Sequence, residues 1–281
     1  VEEYIDALIG YANLLIRAGK LQEALRVNEK ALRLSRQYAF RDWVVTSIFE
    51  IGWVHRLMGY LNIAQQRYAE ALRMAMEQNN IERVALVYNS LAYVHALQHQ
   101  ERALAEIQQA IDMWQKLTYQ QEGHRSNLGQ CYNVAGEVCL ELKHPEEALT
   151  YFELSWNIFD LEESEPPGQE KQVLEWRSKS RSGRGFAYWQ LAKTALEKGD
   201  ETGAHQHLLA ARDDLEWASE NAAIFDSPFI LNRLGKVYFL FRNYAKAASV
   251  WKQSMREAQQ VGDAFIELKS LSDLARLAFY Y

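Results

Sequence analysis

The sequence predicts an all-α fold: a right-handed α-solenoid of six helix-turn-helix units followed by a C-terminal capping helix. Three observations predict it. The 281 residues include only 14 Gly and 4 Pro, and 48% are apolar, which suits a helical, well-packed chain rather than a disordered one. Small residues recur in pairs seven apart: Ala24/Ala31, Ala64/Ala71, Ala103/Ala110, Ala148/Ser155, Ala204/Ala211 and Ala247/Ser254. A further Gly or Ala lies eleven or twelve residues before the first member of each pair, at Ala12, Gly52, Ala92, Gly136, Ala192 and Gly235, and again at Ala275. Small residues at these three places let two antiparallel helices approach closely, and a self-similar period of this length marks a repeat array.

The elements follow in order. First helices are expected over 3–18, 42–58, 81–98, 124–142, 170–198 and 227–241. Second helices are expected over 21–38, 61–78, 100–117, 145–161, 201–220 and 244–260. The turns between them carry breakers, as in GKLQEAL at 19–25 and GYLNIAQ at 59–65. The six units span roughly 1–40, 41–80, 81–119, 120–163, 168–222 and 226–261, one repeat domain over 1–281. A terminal helix in 263–281 offers Phe265, Leu268, Leu271, Leu274, Ala275 and Ala278 as a capping face. The Val1 start and the apolar Phe279-Tyr280-Tyr281 end lead us to expect a segment of a longer protein. The stretch EESEPPGQE at 162–170 reads as a loop before an unusually long fifth first helix.

Charge and motifs exclude several functions. Lys and Arg number 31 against 37 Asp and Glu, a formal net charge of −6, with no basic stripe of the kind that binds nucleic acid. No apolar run is long enough to span a bilayer. The two cysteines, Cys131 and Cys139, lie eight apart on one expected helix, about 12 Å, too far for a disulfide. Together these favour a cytoplasmic protein. No phosphate-binding loop and no serine- or zinc-hydrolase motif is present, so no catalytic residue, cofactor or metal is expected. His205 and His207 point apart on a helix. His55 and His95 occupy equivalent places and read as interfacial histidines, with a metal or pH switch as the sharper alternative.

The small-residue frame also carries a resemblance. Ile48, Ile51, Gly52, Gly59, Ala64, Tyr68 and Ala71, and again Leu231, Leu234, Gly235, Tyr238, Ala247 and Trp251, resemble the motif of the tetratricopeptide repeat (TPR) family. Successive first-helix small residues are 40, 40, 44, 56, 43 and 40 apart rather than 34. That longer period is similar to the repeats of kinesin light chains and of MalT-like and other signal-transduction NTPase sensor domains. The usual Pro after the second helix is missing.

The resemblance implies that first helices line a concave groove. The groove-facing places lie three before, one after and four after the small residue. They hold Ile9, Phe49, Asn89, Asn133, Trp189 and Asn232; then Asn13, Trp53, Tyr93, Glu137, Lys193 and Lys236; then Ile16, Arg56, Ala96, Leu140, Leu196 and Phe239. Asn in mid-helix is otherwise unfavourable. An Asn ladder at Asn89, Asn133 and Asn232 can satisfy the N–H and C=O groups of an extended peptide, and the aromatic residues can form side-chain pockets. Burial between helices is the competing explanation. Arg177, Arg181 and Arg184 share a helix face and suit either an acidic partner or pairing with Glu162, Glu163 and Glu165. The expected function is therefore a non-enzymatic module that binds a peptide or protein segment. It would be the ligand-sensing or interaction domain of a larger signalling or regulatory protein, with a fused NTPase or effector domain. The alternatives are a structural or self-associating scaffold, or a small-molecule sensor using the same groove.

Overall fold

The computed structural model describes residues 1–121, 124–160 and 170–279. Among them the fold is all-α. The chain divides into two compact units, Val1–Glu122 and Gly123–Tyr281.

The first unit holds α1 (Glu2–Arg17), α2 (Leu21–Gln37), α3 (Arg41–Leu57), α4 (Leu61–Glu77), α5 (Ile81–Leu97) and α6 (Arg102–Gln120). The second holds α7 (Arg125–Glu141), α8 (Pro145–Phe159), α9 (Glu170–Glu197), α10 (Glu201–Glu220), α11 (Ser227–Leu240), α12 (Tyr244–Val261) and α13 (Ala264–Ala278). Each boundary falls within three residues of the position expected from sequence.

One turn design generates this regularity. Gly19, Ala39, Gly59, Asn79 and His99 all adopt positive φ, at intervals of 20 residues. Each follows the end of a helix, and the next N–H reaches back to close it. Lys20 N–H donates to Leu15 O at 2.9 Å, Phe40 to Ser35 at 2.9 Å and Tyr60 to His55 at 2.9 Å. This is the Schellman closure, and the residue that completes it also begins the following helix. Lys143, Gly199, Arg242 and Gly262 repeat the conformation in the second unit. Where the residue is not Gly, the left-handed conformation costs roughly 1 kcal/mol, yet Ala39, His99, Lys143 and Arg242 adopt it. The packing of the helices that the turn joins outweighs that cost. At four helix starts a side chain adds a cap: Asn80, Asp200, Asn243 and Asp263 each accept from the N–H three residues on.

Inside a pair, the small residue of the first helix meets the large residue of the second. A Cβ on Gly136 would lie 2.5 Å from the Phe152 ring, and one on Gly235 would lie 2.3 Å from Trp251 Nε1. Tyr68, Phe152 and Trp251 are accordingly buried. Ser155 and Ser254 stand where other pairs have Ala, and each donates to a first-helix carbonyl, Gly129 O at 2.8 Å and Pro228 O at 2.6 Å. Phe152 also packs against α9, where a Cβ on Gly183 would lie 2.2 Å from its ring. Replacing Gly183 with Ala should lower stability by roughly 1–3 kcal/mol through overpacking, read as a lower denaturant midpoint with an unchanged m-value. The first pair departs from the pattern. Asn28 occupies the place of Tyr68, is fully buried, and neither its Oδ1 nor its Nδ2 has a hydrogen-bond partner among the described residues.

Candidate functional site

In the first unit the expected groove residues lie on α1, α3 and α5. Phe49 is only 8% exposed and its ring packs at 5.4 Å from that of Tyr68, so it serves the core. Ile9, Ile16 and Ala96 are buried as well. Asn13, Trp53, Arg56, Asn89 and Tyr93 are half-buried. The Arg56 guanidinium lies over the Tyr93 ring at 5.1 Å. Burial raises the Tyr68 hydroxyl above its ordinary range, and the Arg56 charge opposes that. Asn13 Oδ1 and Asn89 Oδ1 are closed off from solvent yet accept no hydrogen bond from any of the described residues. Glu50 Oε2 is in the same condition. Burial pushes the Glu50 carboxyl up to about 7, and the Arg83 charge only partly opposes that. Buried acceptors without donors are uncommon and costly, and these three come from three successive first helices.

In the second unit most of the expected groove residues are engaged by other groups of the same unit. Asn133 is buried; its Nδ2 donates to Trp176 O at 3.5 Å, a long bond, and its Oδ1 has no partner among the described residues. Asn232 Nδ2 donates to Ser270 Oγ and to Asp273 Oδ2, both at 3.1 Å, on α13. Glu137 accepts two bonds from Arg233, at 2.9 Å and 2.6 Å. The Arg233 guanidinium is held 4.5 Å from the Phe186 ring centroid and 4.1 Å from that of Phe229. Lys236 pairs with Asp273 at 3.5 Å; burial lowers the basicity of its ammonium and Asp273 opposes that. Trp189 donates to Lys236 O at 3.2 Å, stacks on Phe186 at 4.9 Å, and carries the exposed Lys193 over its face. Leu140 is buried, Phe239 is half-buried and Leu196 is exposed.

The arginine row of α9 is also occupied. Arg177 donates to Phe159 O at 2.7 Å. Arg181 lies over the rings of Trp156 and Trp217, 3.4 Å from Asp214. Arg184 makes a two-pronged bond to the same carboxylate at 2.6 Å and 2.7 Å. Glu162, Glu163 and Glu165 lie outside the described residues, as do Tyr280 and Tyr281.

Other candidates resolve locally. His95 is buried between Glu106 and Arg102 of the neighbouring helix. His55 donates from Nδ1 to Ile51 O at 2.8 Å. His205 packs edge-on to Phe241, and His207 stacks on Tyr188. Cys131 and Cys139 are free and buried, and burial raises both thiols, that of Cys139 to about 12, so neither is poised as a nucleophile. Among the described residues no group of three or more His, Cys, Asp or Glu could hold a metal ion. Among the described residues no helix is long and apolar enough to cross a membrane.

Sequence reasoning missed Glu50, Arg233 and Asp214. The Glu137–Arg233 partners are 96 residues apart, beyond any local spacing rule. Glu50 had a readable signal: a carboxylate two residues before Gly52, the one charge in the stretch from Val44 to Val54.

Solved structures share this architecture. RapI in its apo form is 13% identical over 92% of this chain and 84% of that one, with a TM-score of 0.63. NprR in complex with its cognate peptide NprX is 16% identical over 99% and 71%, with a TM-score of 0.61. The apo quorum sensor NprR from B. thuringiensis is 15% identical over 96% and 68%, with a TM-score of 0.56. At such identities the likeness is one of fold. No curated protein matches the sequence significantly. The family model for the tetratricopeptide repeat matches residues 3–77. Residues 3–77 thus match a tetratricopeptide repeat, and antiparallel helix pairs of the same kind continue through both units as an all-α repeat fold.

Proposed function

We propose that this protein is a non-enzymatic module that binds an extended peptide or partner segment, with the first helices of the first unit as the principal contact surface. The observation that carries this reading is the set of unpartnered acceptors on α1, α3 and α5: Asn13 Oδ1, Glu50 Oε2 and Asn89 Oδ1. A peptide backbone brings N–H donors that such acceptors lack; the Asn13, Glu50 and Asn89 side chains are only half-buried and would turn their closed-off oxygens outward to meet it, and the half-buried Trp53, Tyr93 and Arg56 supply apolar and cation–π contacts beside them. That NprR, a relative in fold, is solved with a cognate peptide supports the same class of ligand. In the second unit Asn133, Asn232, Glu137, Trp189 and Lys236 would contribute mainly by holding their helices in place; Lys193 is the exposed member of that set. A sensor or regulatory role for the module, coupled to an effector or NTPase domain in cis, is the wider setting we favour.

The test uses a peptide selected on the intact protein from a displayed random library. Asn89→Ala should weaken its binding about tenfold, the worth of one well-made hydrogen bond. Since that oxygen has no donor among the described residues, the melting temperature should not fall. Unchanged affinity in both Asn13→Ala and Asn89→Ala would remove the reading.

A further inference from the structure

We infer a second docking site, on the opposite helices of the first unit, for an acidic segment of a partner protein. A cavity of about 490 Å³ lies between α2 and α4, with α3 at its base. That volume is within the usual range of ligand sites. Its floor is apolar: Leu32 and Ile51 are buried, while Ile63 is an isoleucine left 40% exposed at the rim.

Its walls are cationic. Arg33 and Arg36 come from α2, and Arg67 comes from α4. Glu70 accepts from Arg36 at 3.2 Å and from Arg67 at 3.1 Å, so one carboxylate ties the two helices and fixes both guanidiniums. Each guanidinium carries five N–H donors, and Glu70 uses one from each. The remaining donors are pre-positioned for a second carboxylate, which lowers the entropic cost of binding it. Arg33, three residues before Arg36, has no ion-pair or hydrogen-bond partner among the described residues and adds a third charge on the same wall. Glu29 is the one acidic residue that lines the cavity.

A bare inorganic anion would use the charge and leave the floor unused. An apolar ligand would use the floor and leave the arginines unused. A carboxylate next to a leucine-like side chain uses both. His55 favours a peptide as the carrier of that pair. Its Nδ1–H is committed to Ile51 O, so the other ring nitrogen, Nε2, is left for a ligand, and a peptide backbone carries both an N–H and a C=O to meet it. The site differs from the surface on α1, α3 and α5: its cationic walls come from the second helices α2 and α4, and α3 contributes only Ile51 and His55 at the base.

The probe is a fluorescein-labelled, N-acetylated, C-amidated peptide, Leu-Glu-Glu-Leu-Glu-Glu, titrated by anisotropy against the intact protein. Saturable binding is expected below about 1 mM, weakening as salt is raised because the arginines are partly exposed. Arg33→Glu should weaken it at least tenfold, Arg33→Lys much less, and Ile63→Ser severalfold, all without loss of melting temperature. Asn89→Ala should leave it unchanged, which separates this site from the proposed peptide surface. Absence of binding, indifference to Arg33→Glu, or equal affinity for an all-glutamate peptide of the same length would each overturn the proposal.

Discussion

Replacing Glu137 with Ala should destabilise the protein by about 3–5 kcal/mol, the cost of leaving a buried charge without its counter-ion. For a chain of this size that is a fall in melting temperature on the order of 10 °C, read by calorimetry or circular dichroism. Arg233 is 4% exposed and donates through both Nη atoms to the Glu137 carboxylate. Its guanidinium is flanked by Phe186 and Phe229, which bring no acceptor. Without Glu137 the nearest replacement is Ser182 Oγ at 3.5 Å, a long, neutral contact. Glu137→Gln keeps one acceptor and should lose less. The double variant Glu137→Ala/Arg233→Met should recover much of the loss, because an apolar pair of similar volume avoids burying charge. A Glu137→Ala variant that melts like the parent would show that this carboxylate does not hold α7 to α11.

The same residue marks where sequence reading stops. The helices and their turns are legible because their cause is local. A positive-φ residue at the turn, a small residue where two helices touch and an apolar stripe between them are all written within one hairpin. The register also gives the direction in which a side chain leaves its own pair. It cannot say what stands there. Asn89 and Asn232 occupy equivalent places, three residues before the small one, yet Asn232 meets Ser270 and Asp273 of α13 while Asn89 Oδ1 meets no donor. The difference lies in the neighbouring helix, which the motif does not constrain at that position. The α9 arginines make the same point. Their shared face is plain in the sequence, but Asp214, Trp156 and Trp217, which receive them, come from α10 and α8. Asn28 is the converse case: its place in the repeat marks it as buried, and only the structure shows both its polar atoms without partners.

Glu50→Gln should change how stability depends on pH. The Glu50 carboxyl titrates near 7 in the folded protein, raised from 4.5 by burial. Between those values the folded state holds a proton that the unfolded state has lost, so stability falls as pH rises. The penalty is absent below about pH 4.5, develops between 4.5 and 7, and is complete above 7. A shift of this size corresponds to roughly 3 kcal/mol. Glutamine is neutral throughout, so Glu50→Gln should match the parent near pH 4 and exceed it at pH 8 by roughly 2–3 kcal/mol in urea unfolding. A variant equally destabilised at both pH values would mean that the charged carboxylate is held by Arg83 and contributes to folding. The direction matters for ligand binding as well. A peptide that brings an N–H or a cation to Oε2 removes the penalty, so its binding should release part of a proton near pH 7. Isothermal titration in buffers of different ionisation enthalpy reads that proton directly, and Glu50→Gln should abolish it.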